Sequence, residues 1–154
     1  MAEATPARAD FGFFFPIRVR YAEIDGQGVV FNAHYLTYYD TAITEFVVRH
    51  AGYDYFGEVE RTSHDFHLVK SLVNYLAPIR FDAEIEIGVR IARLGRSSII
   101  FAPAIFAKGG DELLATGEIV WVYTDQAAGK SAPLPKALLS RLDKAEGPRL
   151  PSRG

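Results

Sequence analysis

The sequence predicts an α+β fold in which one long amphipathic helix precedes a run of antiparallel strands and a short helix closes the chain. Three observations carry that expectation. Apolar residues recur at helical spacing between Tyr35 and Val47. Ile85, Ile87, Val89 and Ile91 alternate with Glu84, Glu86, Gly88 and Arg90, the period of a half-buried strand. Gly95-Arg96 and Gly109-Gly110 are turn signals between consecutive strands, which makes the later part a meander.

The elements follow in order. Ile17, Val19 and Tyr21 alternate with Arg18 and Arg20, so a first strand runs straight into a glycine-rich turn, with Phe11 to Phe15 leading into it. In the helix, Tyr35, Leu36, Tyr39, Ala42, Ile43, Phe46 and Val47 form one face; Thr37, Asp40, Thr41, Thr44 and Arg49 form the other. Asn32 is placed as its N-cap and Gly52 as its C′ residue, while Glu45 and Arg49 stand one turn apart on the exposed side. Residues 57–65 read as a polar loop, and strands are expected over 66–75, 84–93, 98–108 and 113–124. Pro78 and Pro103 each remove a ladder donor and should mark bends, bulges or edges. Pro133 and Pro135 end the last strand, after which Leu138, Leu139 and Leu142 give a terminal helix its apolar face. One helix cannot cover both faces of a five-stranded sheet, so homo-oligomerisation is expected.

Composition limits the function classes. With 154 residues, 49% hydrophobic and 23% charged, one domain with its own core is expected. The net charge of −2 is spread without a basic block, which argues against binding nucleic acid through phosphate contacts. Without cysteine there is no disulfide, thiolate metal site or cysteine nucleophile, which fits a reducing compartment, the cytoplasm by default. Residues 1–10 lack a basic stretch leading into a long apolar one, and no later apolar run is long enough to span a bilayer, so neither export nor a membrane partner is expected. His50, His64 and His67 show no metal-ligand spacing, and no metal is expected.

The chemistry concentrates between Tyr21 and Tyr39. Asp25 sits in the turn Asp25-Gly26-Gln27-Gly28, directly ahead of the helix. A helix start exposes unpaired N–H groups and the positive end of the macrodipole, so it can polarise a carbonyl oxygen that gains negative charge during reaction. A carboxylate beside such a start suggests acyl transfer or hydrolysis. Asp before Gly also caps turns without any catalytic part.

The run Asp25-Gly26-Gln27-Gly28-Val29-Val30-Phe31-Asn32-Ala33-His34-Tyr35 resembles the Asp-x-x-Gly-x-Val-(x)4-Tyr signature of hotdog-fold acyl-CoA thioesterases of the 4-hydroxybenzoyl-CoA thioesterase family. Downstream, Asn74-Tyr75-Leu76-Ala77-Pro78-Ile79-Arg80-Phe81-Asp82 resembles that family's Tyr-x-x-Pro segment, Gly95-Arg96-Ser97-Ser98-Ile99 its turn before the fourth strand, and Pro133-Leu134-Pro135 its tail. The likeness covers residues 14 to 142 or so of a single domain. It implies a hotdog fold, a five-stranded antiparallel sheet wrapped around the long helix. Two subunits would join their sheets edge to edge, as a homodimer or homotetramer with active sites at the interface. The substrate would be an acyl-CoA, and no cofactor would be bound.

The resemblance also implies roles. Asp25 matches the catalytic carboxylate, either a nucleophile forming a mixed anhydride or a general base. Asn32 matches the position whose backbone N–H polarises the thioester carbonyl. Gly28 lets the backbone turn tightly. His34 stands two residues after a position where relatives often carry His, and would assist the leaving thiolate or be an ordinary first-turn residue. Phe31, Tyr35 and Tyr39 would line an acyl pocket or belong to the core, while Arg96, Ser97 and Ser98 would contact CoA or form a solvated turn. Glu45 is a rival carboxylate, better explained by pairing with Arg49; Glu23 is a weaker candidate expected to face water. The function implied is hydrolysis of an acyl-CoA thioester, aryl thioesters included. The alternatives are an acyl-thioester hydratase or dehydratase, and a non-catalytic acyl-CoA-binding module.

Overall fold

The structure is a computed structural model describing residues 5–153. Strand β1 (Phe14–Arg18) pairs with β3 (Glu84–Gly88), and β3 with β6 (Ala104–Ala107). Both β6 and β5 (Ser98–Phe101) pair with β7 (Leu113–Asp125), while β4 (Ile91–Leu94) pairs with β5. Strand β2 (His64–Tyr75) lies along the other side of β7, and a two-residue β8 (Lys130–Ser131) joins the end of β7. Every pairing is antiparallel. The expected strands over 84–93 and 98–108 therefore each appear as two segments. The second break falls at Pro103, which has no N–H to give the ladder and whose carbonyl accepts instead from the Gly117 N–H at 2.9 Å.

The sheet wraps around helix α1 (His34–Glu45), which continues into a wider π-helical turn over Phe46–His50. Tyr39, Ile43 and Phe46 share one core with Ala115, Ile119, Trp121 and Tyr123 of β7, giving the hotdog arrangement. At Gly117 a Cβ would lie 2.4 Å from Tyr39 Cε2 and 3.0 Å from the Leu72 carbonyl oxygen, so even a methyl there forces a shift. On the far face of the sheet, Phe11, Ala104 and Phe106 form a smaller cluster beneath the segment preceding β1. Helix α3 (Lys136–Glu146) buries Leu138 and Leu142 completely and docks against the end of the central helix, where His50 Nε2 lies 3.0 Å from Glu146 Oε2.

Four local expectations are corrected. The first strand ends at Arg18, and a 3-10 turn at Tyr21–Glu23 intervenes before Asp25; Tyr21 is exposed. The stretch read as a polar loop holds helix α2 (Tyr55–Thr62), started by the Asp54 carboxylate accepting from the Gly57 N–H at 3.2 Å. Asn32 does not cap α1, whose N-cap is Ala33, with no side-chain bond. On α1 Leu36 faces outward and Tyr38 inward, because the buried face turns toward Glu23.

Strands β1, β4 and β2 each pair on one side only among the described residues, and β1 and β2 differ. Edge strand β1 is five residues long and contains Pro16. Edge strand β2 is twelve residues long and carries exposed Leu68, Val69, Leu72 and Tyr75.

Candidate active site

The segment that presents Asp25 is folded back on itself and pinned from both sides. Ile24 bridges Val30; the Asp25 N–H donates to the Val29 carbonyl at 2.9 Å and the Gly28 N–H to the Asp25 carbonyl at 3.0 Å. Gly28 has φ +76°, the left-handed region where a Cβ is strained, so the turn requires glycine. Residues 79–81 lock the loop, the Val30 N–H reaching the Ile79 carbonyl at 2.7 Å and the Phe81 N–H the Gly28 carbonyl at 3.2 Å. The Phe31 N–H then meets the Glu23 carbonyl at 2.9 Å, which delivers the chain to the start of α1.

Glu23 is the residue the sequence misplaces. It is 6% exposed, accepting from its own turn through the Arg20 N–H at 2.8 Å and guanidinium at 3.0 Å, and from α1 through the Tyr38 hydroxyl at 3.0 Å. Burial by itself would raise its pKa; the bonds from Arg20 and Tyr38 outweigh that and hold the carboxyl below the ordinary range. Glu23 thus ties the Asp25 loop to α1. The available signal was Arg20 three residues ahead of it, but the tyrosine that completes the site arrives from a helix fifteen residues on.

Asp25 is half-buried. One of its carboxylate oxygens accepts from the Gln27 N–H at 2.8 Å; among the described residues no protein group bonds the other. Asp25, Asn32 and Tyr35 line one open cavity of about 340 Å³, together with Tyr75 and Leu76 at the end of β2. The Tyr75 hydroxyl donates to the Asn32 carbonyl at 3.2 Å, and its ring meets Tyr35 edge-on with centroids 4.7 Å apart. Burial, and then the neighbouring Tyr75, raises the pKa of the Tyr35 phenol, which stays protonated at neutral pH. No side chain caps α1, and among the described residues neither the Asn32 nor the Ala33 N–H meets a protein acceptor. The cavity therefore combines a carboxylate with Asn32, just ahead of α1, whose N–H is unspent, while the His34 and Tyr35 N–H groups of the helix already meet the Phe31 and Asn32 carbonyls at 2.9 and 3.3 Å. Tyr75 and Leu76 were read from the sequence only as part of a motif, without a place in the site.

The other candidates lie elsewhere. His34, the first residue of α1, packs edge-on against Phe31 at 6.0 Å, and neither lines the cavity. Tyr39 is fully buried with its hydroxyl donating to the Thr116 carbonyl at 2.8 Å; it belongs to the core and not to an acyl pocket. Gly28 shapes the loop without lining the cavity. Arg96, Ser97 and Ser98 turn between β4 and β5, their carbonyls accepting from Leu134 at 2.9 Å, Tyr123 at 2.7 Å and Gly95 at 2.9 Å. Ser98 pairs with Val122 and Tyr75 with Ala115, so the turn lies along β7 from the cavity by about 23 Å. One chain does not bring it to Asp25. Glu45 pairs with Arg49 at 2.8 Å near the far end of α1.

A family profile described as the thioesterase-like superfamily matches residues 19–142. The chain is 32% identical over 128 residues to an acyl-CoA thioester hydrolase, YbgC, of Escherichia coli, a match covering 83% of this chain and 93% of the relative. The solved structure of the PA5185 protein of Pseudomonas aeruginosa superimposes with a TM-score of 0.80 at 30% identity, covering 97% and 99% of the two chains. That of Slr0204, a 1,4-dihydroxy-2-naphthoyl-CoA thioesterase of Synechocystis, does so at 0.80 and 19% identity over 88% and 98%, a likeness of fold. Since the matched span takes in the Asp25 loop, all of α1 and every strand after β1, the chain belongs to the thioesterase-like superfamily.

Proposed function

We propose that this thioesterase hydrolyses the CoA thioester of an aromatic acid to the free acid and CoA, with Asp25 as the reacting carboxylate. The observation that supports the reading is the single cavity shared by Asp25 and Asn32, whose backbone N–H meets no protein acceptor among the described residues. A thioester whose carbonyl carbon rests beside Asp25 and whose oxygen meets the Asn32 N–H would develop its negative charge against unspent donors. As nucleophile, Asp25 adds to that carbon; the carbon–sulfur bond breaks, CoA leaves as thiolate and takes a proton from solvent, and water hydrolyses the mixed anhydride. As general base, Asp25 takes a proton from water as the water adds, then returns it to the departing sulfur. Neither route uses His34. The aromatic walls given by Tyr35 and Tyr75 favour an aryl acyl group.

The same reading includes a second subunit. An unpaired twelve-residue edge with exposed apolar side chains is a template for pairing, and β2 of one copy would join β2 of another to make one continuous sheet. Two-fold pairing reverses the partner's strand, which sets the partner's turn of Arg96, Ser97 and Ser98 at the end of the joint sheet where this chain opens its Asp25 cavity. There those residues would meet the phosphates of CoA.

Release of free thiol from benzoyl-, phenylacetyl- and medium-chain acyl-CoA, followed in a coloured thiol assay, tests the activity. Asp25→Asn should keep fold and ligand binding while turnover falls about 100-fold or more; near-native hydrolysis by that variant would remove Asp25 from the mechanism. A single turnover in labelled water that leaves label in Asp25 establishes the nucleophile route, with water adding to the Asp25 carbon of the anhydride; water adding to the acyl carbon, as in the general-base route, puts the label in the free acid instead.

A further inference from the structure

We infer that Tyr75 is a positioning residue for the hydrolysis: through its bond to the Asn32 carbonyl, its hydroxyl fixes the turn that aims the Asn32 N–H at the thioester oxygen. The inference rests on the hydrolase reading above and needs nothing from a second subunit.

A main-chain donor has no side chain of its own by which to be aimed, so its direction follows from what grips the backbone on either side. Ahead of Asn32 the grip is firm. The Phe31 N–H meets the Glu23 carbonyl at 2.9 Å, and the Phe31 carbonyl, which shares a peptide plane with the Asn32 N–H, accepts from the His34 N–H at 2.9 Å. Behind Asn32 the grip is weaker. Its carbonyl accepts from the Tyr35 N–H at 3.3 Å, and α1 has no side-chain cap to brace its first turn. The bond that completes the hold is the Tyr75 hydroxyl at 3.2 Å, arriving from a strand 43 residues further along the chain.

Tyr75 is itself well anchored. It pairs with Ala115 of β7, which sets its side chain on the face covered by α1, and the next two N–H groups, of Leu76 and Ala77, both donate to the Leu114 carbonyl at 3.0 and 3.1 Å. Its ring rests edge-on against Tyr35 with centroids 4.7 Å apart. The phenol is thus a strut from the end of β2 to the residue ahead of α1, with Asp25, Asn32 and Tyr35 around the same cavity. At 53% exposed, Tyr75 can bond water as readily as a carbonyl, so the bond to Asn32 adds little to folding. Its effect falls on the direction of the donor, where a small misplacement is felt in the rate.

Tyr75→Phe removes the oxygen and leaves the ring to line the cavity. With benzoyl-CoA, kcat should fall about 10- to 100-fold, while KM stays within about twofold of wild type and the melting temperature within about 2 °C. Asn74→Ala is the control for a loosened strand end. It removes the neighbouring tie of β2 to β7 on the opposite face, Asn74 Nδ2 to Thr116 Oγ1 at 3.0 Å, and should leave kcat unchanged. Infrared spectroscopy reads the donor directly, using benzoyl-CoA isotope-labelled at its carbonyl carbon and bound to Asp25→Asn. The carbonyl band should lie below its solution frequency, and adding Tyr75→Phe should return it part of the way. An unchanged kcat in Tyr75→Phe, a loss carried by KM instead, an equal loss in Asn74→Ala, or a band that Tyr75→Phe does not move overturns the role of Tyr75 and leaves hydrolysis by Asp25 standing. A band already at the solution frequency in Asp25→Asn overturns Asn32 as the donor, and Tyr75 with it. A wild-type chain inert toward every thioester in the panel overturns the hydrolase reading instead.

Discussion

Glu23 is held by two donors from Arg20 and one from Tyr38, and it anchors the loop that carries Asp25. Its pKa is lower folded than unfolded, so the stability it contributes is fully present above its unfolded value of about 4.5 and is lost as pH falls through the folded value. Glu23→Gln should therefore cost about 1–3 kcal/mol at pH 7, and its denaturation midpoint should converge with that of the wild-type protein as pH is lowered below 4.5. Midpoints that stay equally far apart at acid pH would assign Glu23 no such part. Asp25 could be read from its motif because the glycine-rich turn and the helix that follow it are local features. The burial of Glu23 could not, since nothing in Arg20-Tyr21-Ala22-Glu23 shows that a tyrosine from α1 will close over it. Tyr35 and Tyr39 have the same helical spacing in the sequence and both are buried in the core, yet Tyr35 also borders the cavity; the difference lies in what meets each, the Tyr75 ring beside Tyr35 and the Thr116 carbonyl at the Tyr39 hydroxyl.

At the scale of elements, Tyr39 of α1 lies directly against Gly117 of β7. Gly117→Ala should cost about 1–3 kcal/mol through overpacking, seen as a lower melting temperature, because the added methyl meets a ring already fixed by its bond to the Thr116 carbonyl. Beyond the far end of the same helix, His50 lies between the Phe13 and Phe46 rings, tilted against each, and is bonded to Glu146 of α3. Glu146→Ala should cost about 1–3 kcal/mol and speed hydrogen exchange in α3 first, while thiol release stays near wild type; early exchange in β7 instead would mean that α3 does not open as its own unit. The strands were legible because alternation is set residue by residue, and Gly95 and Gly109 mark their turns. Helix α2 was not, because Gly57 and a dense run of charge resemble a loop. What makes it helical is an Asp54 cap and Arg61 bonds to Asp54 and Glu58, contacts that composition does not display.

For the molecule as a whole, the order of elements could be read from the chain but the order of strands in space could not. Strand β2 follows α1 in sequence yet lies at the border of the sheet beside β7, because the crossing past α1 carries it there. That placement makes Leu72 the most informative position for assembly. If β2 pairs with β2 as proposed, Leu72→Lys should elute as a monomer in gel filtration where the wild-type chain elutes as a dimer, and thiol release should fall with it, since a charge then stands on the joining edge of each copy; a variant that still elutes as a dimer would place the joining surface elsewhere. The opposite border carries Pro16, an imino acid with no hydrogen to offer a newcomer. Were β2 to join β2 of a second copy, the Pro16 stretch of the opposite border would offer a third copy no matching ladder, and growth along that stretch would stop after a single union.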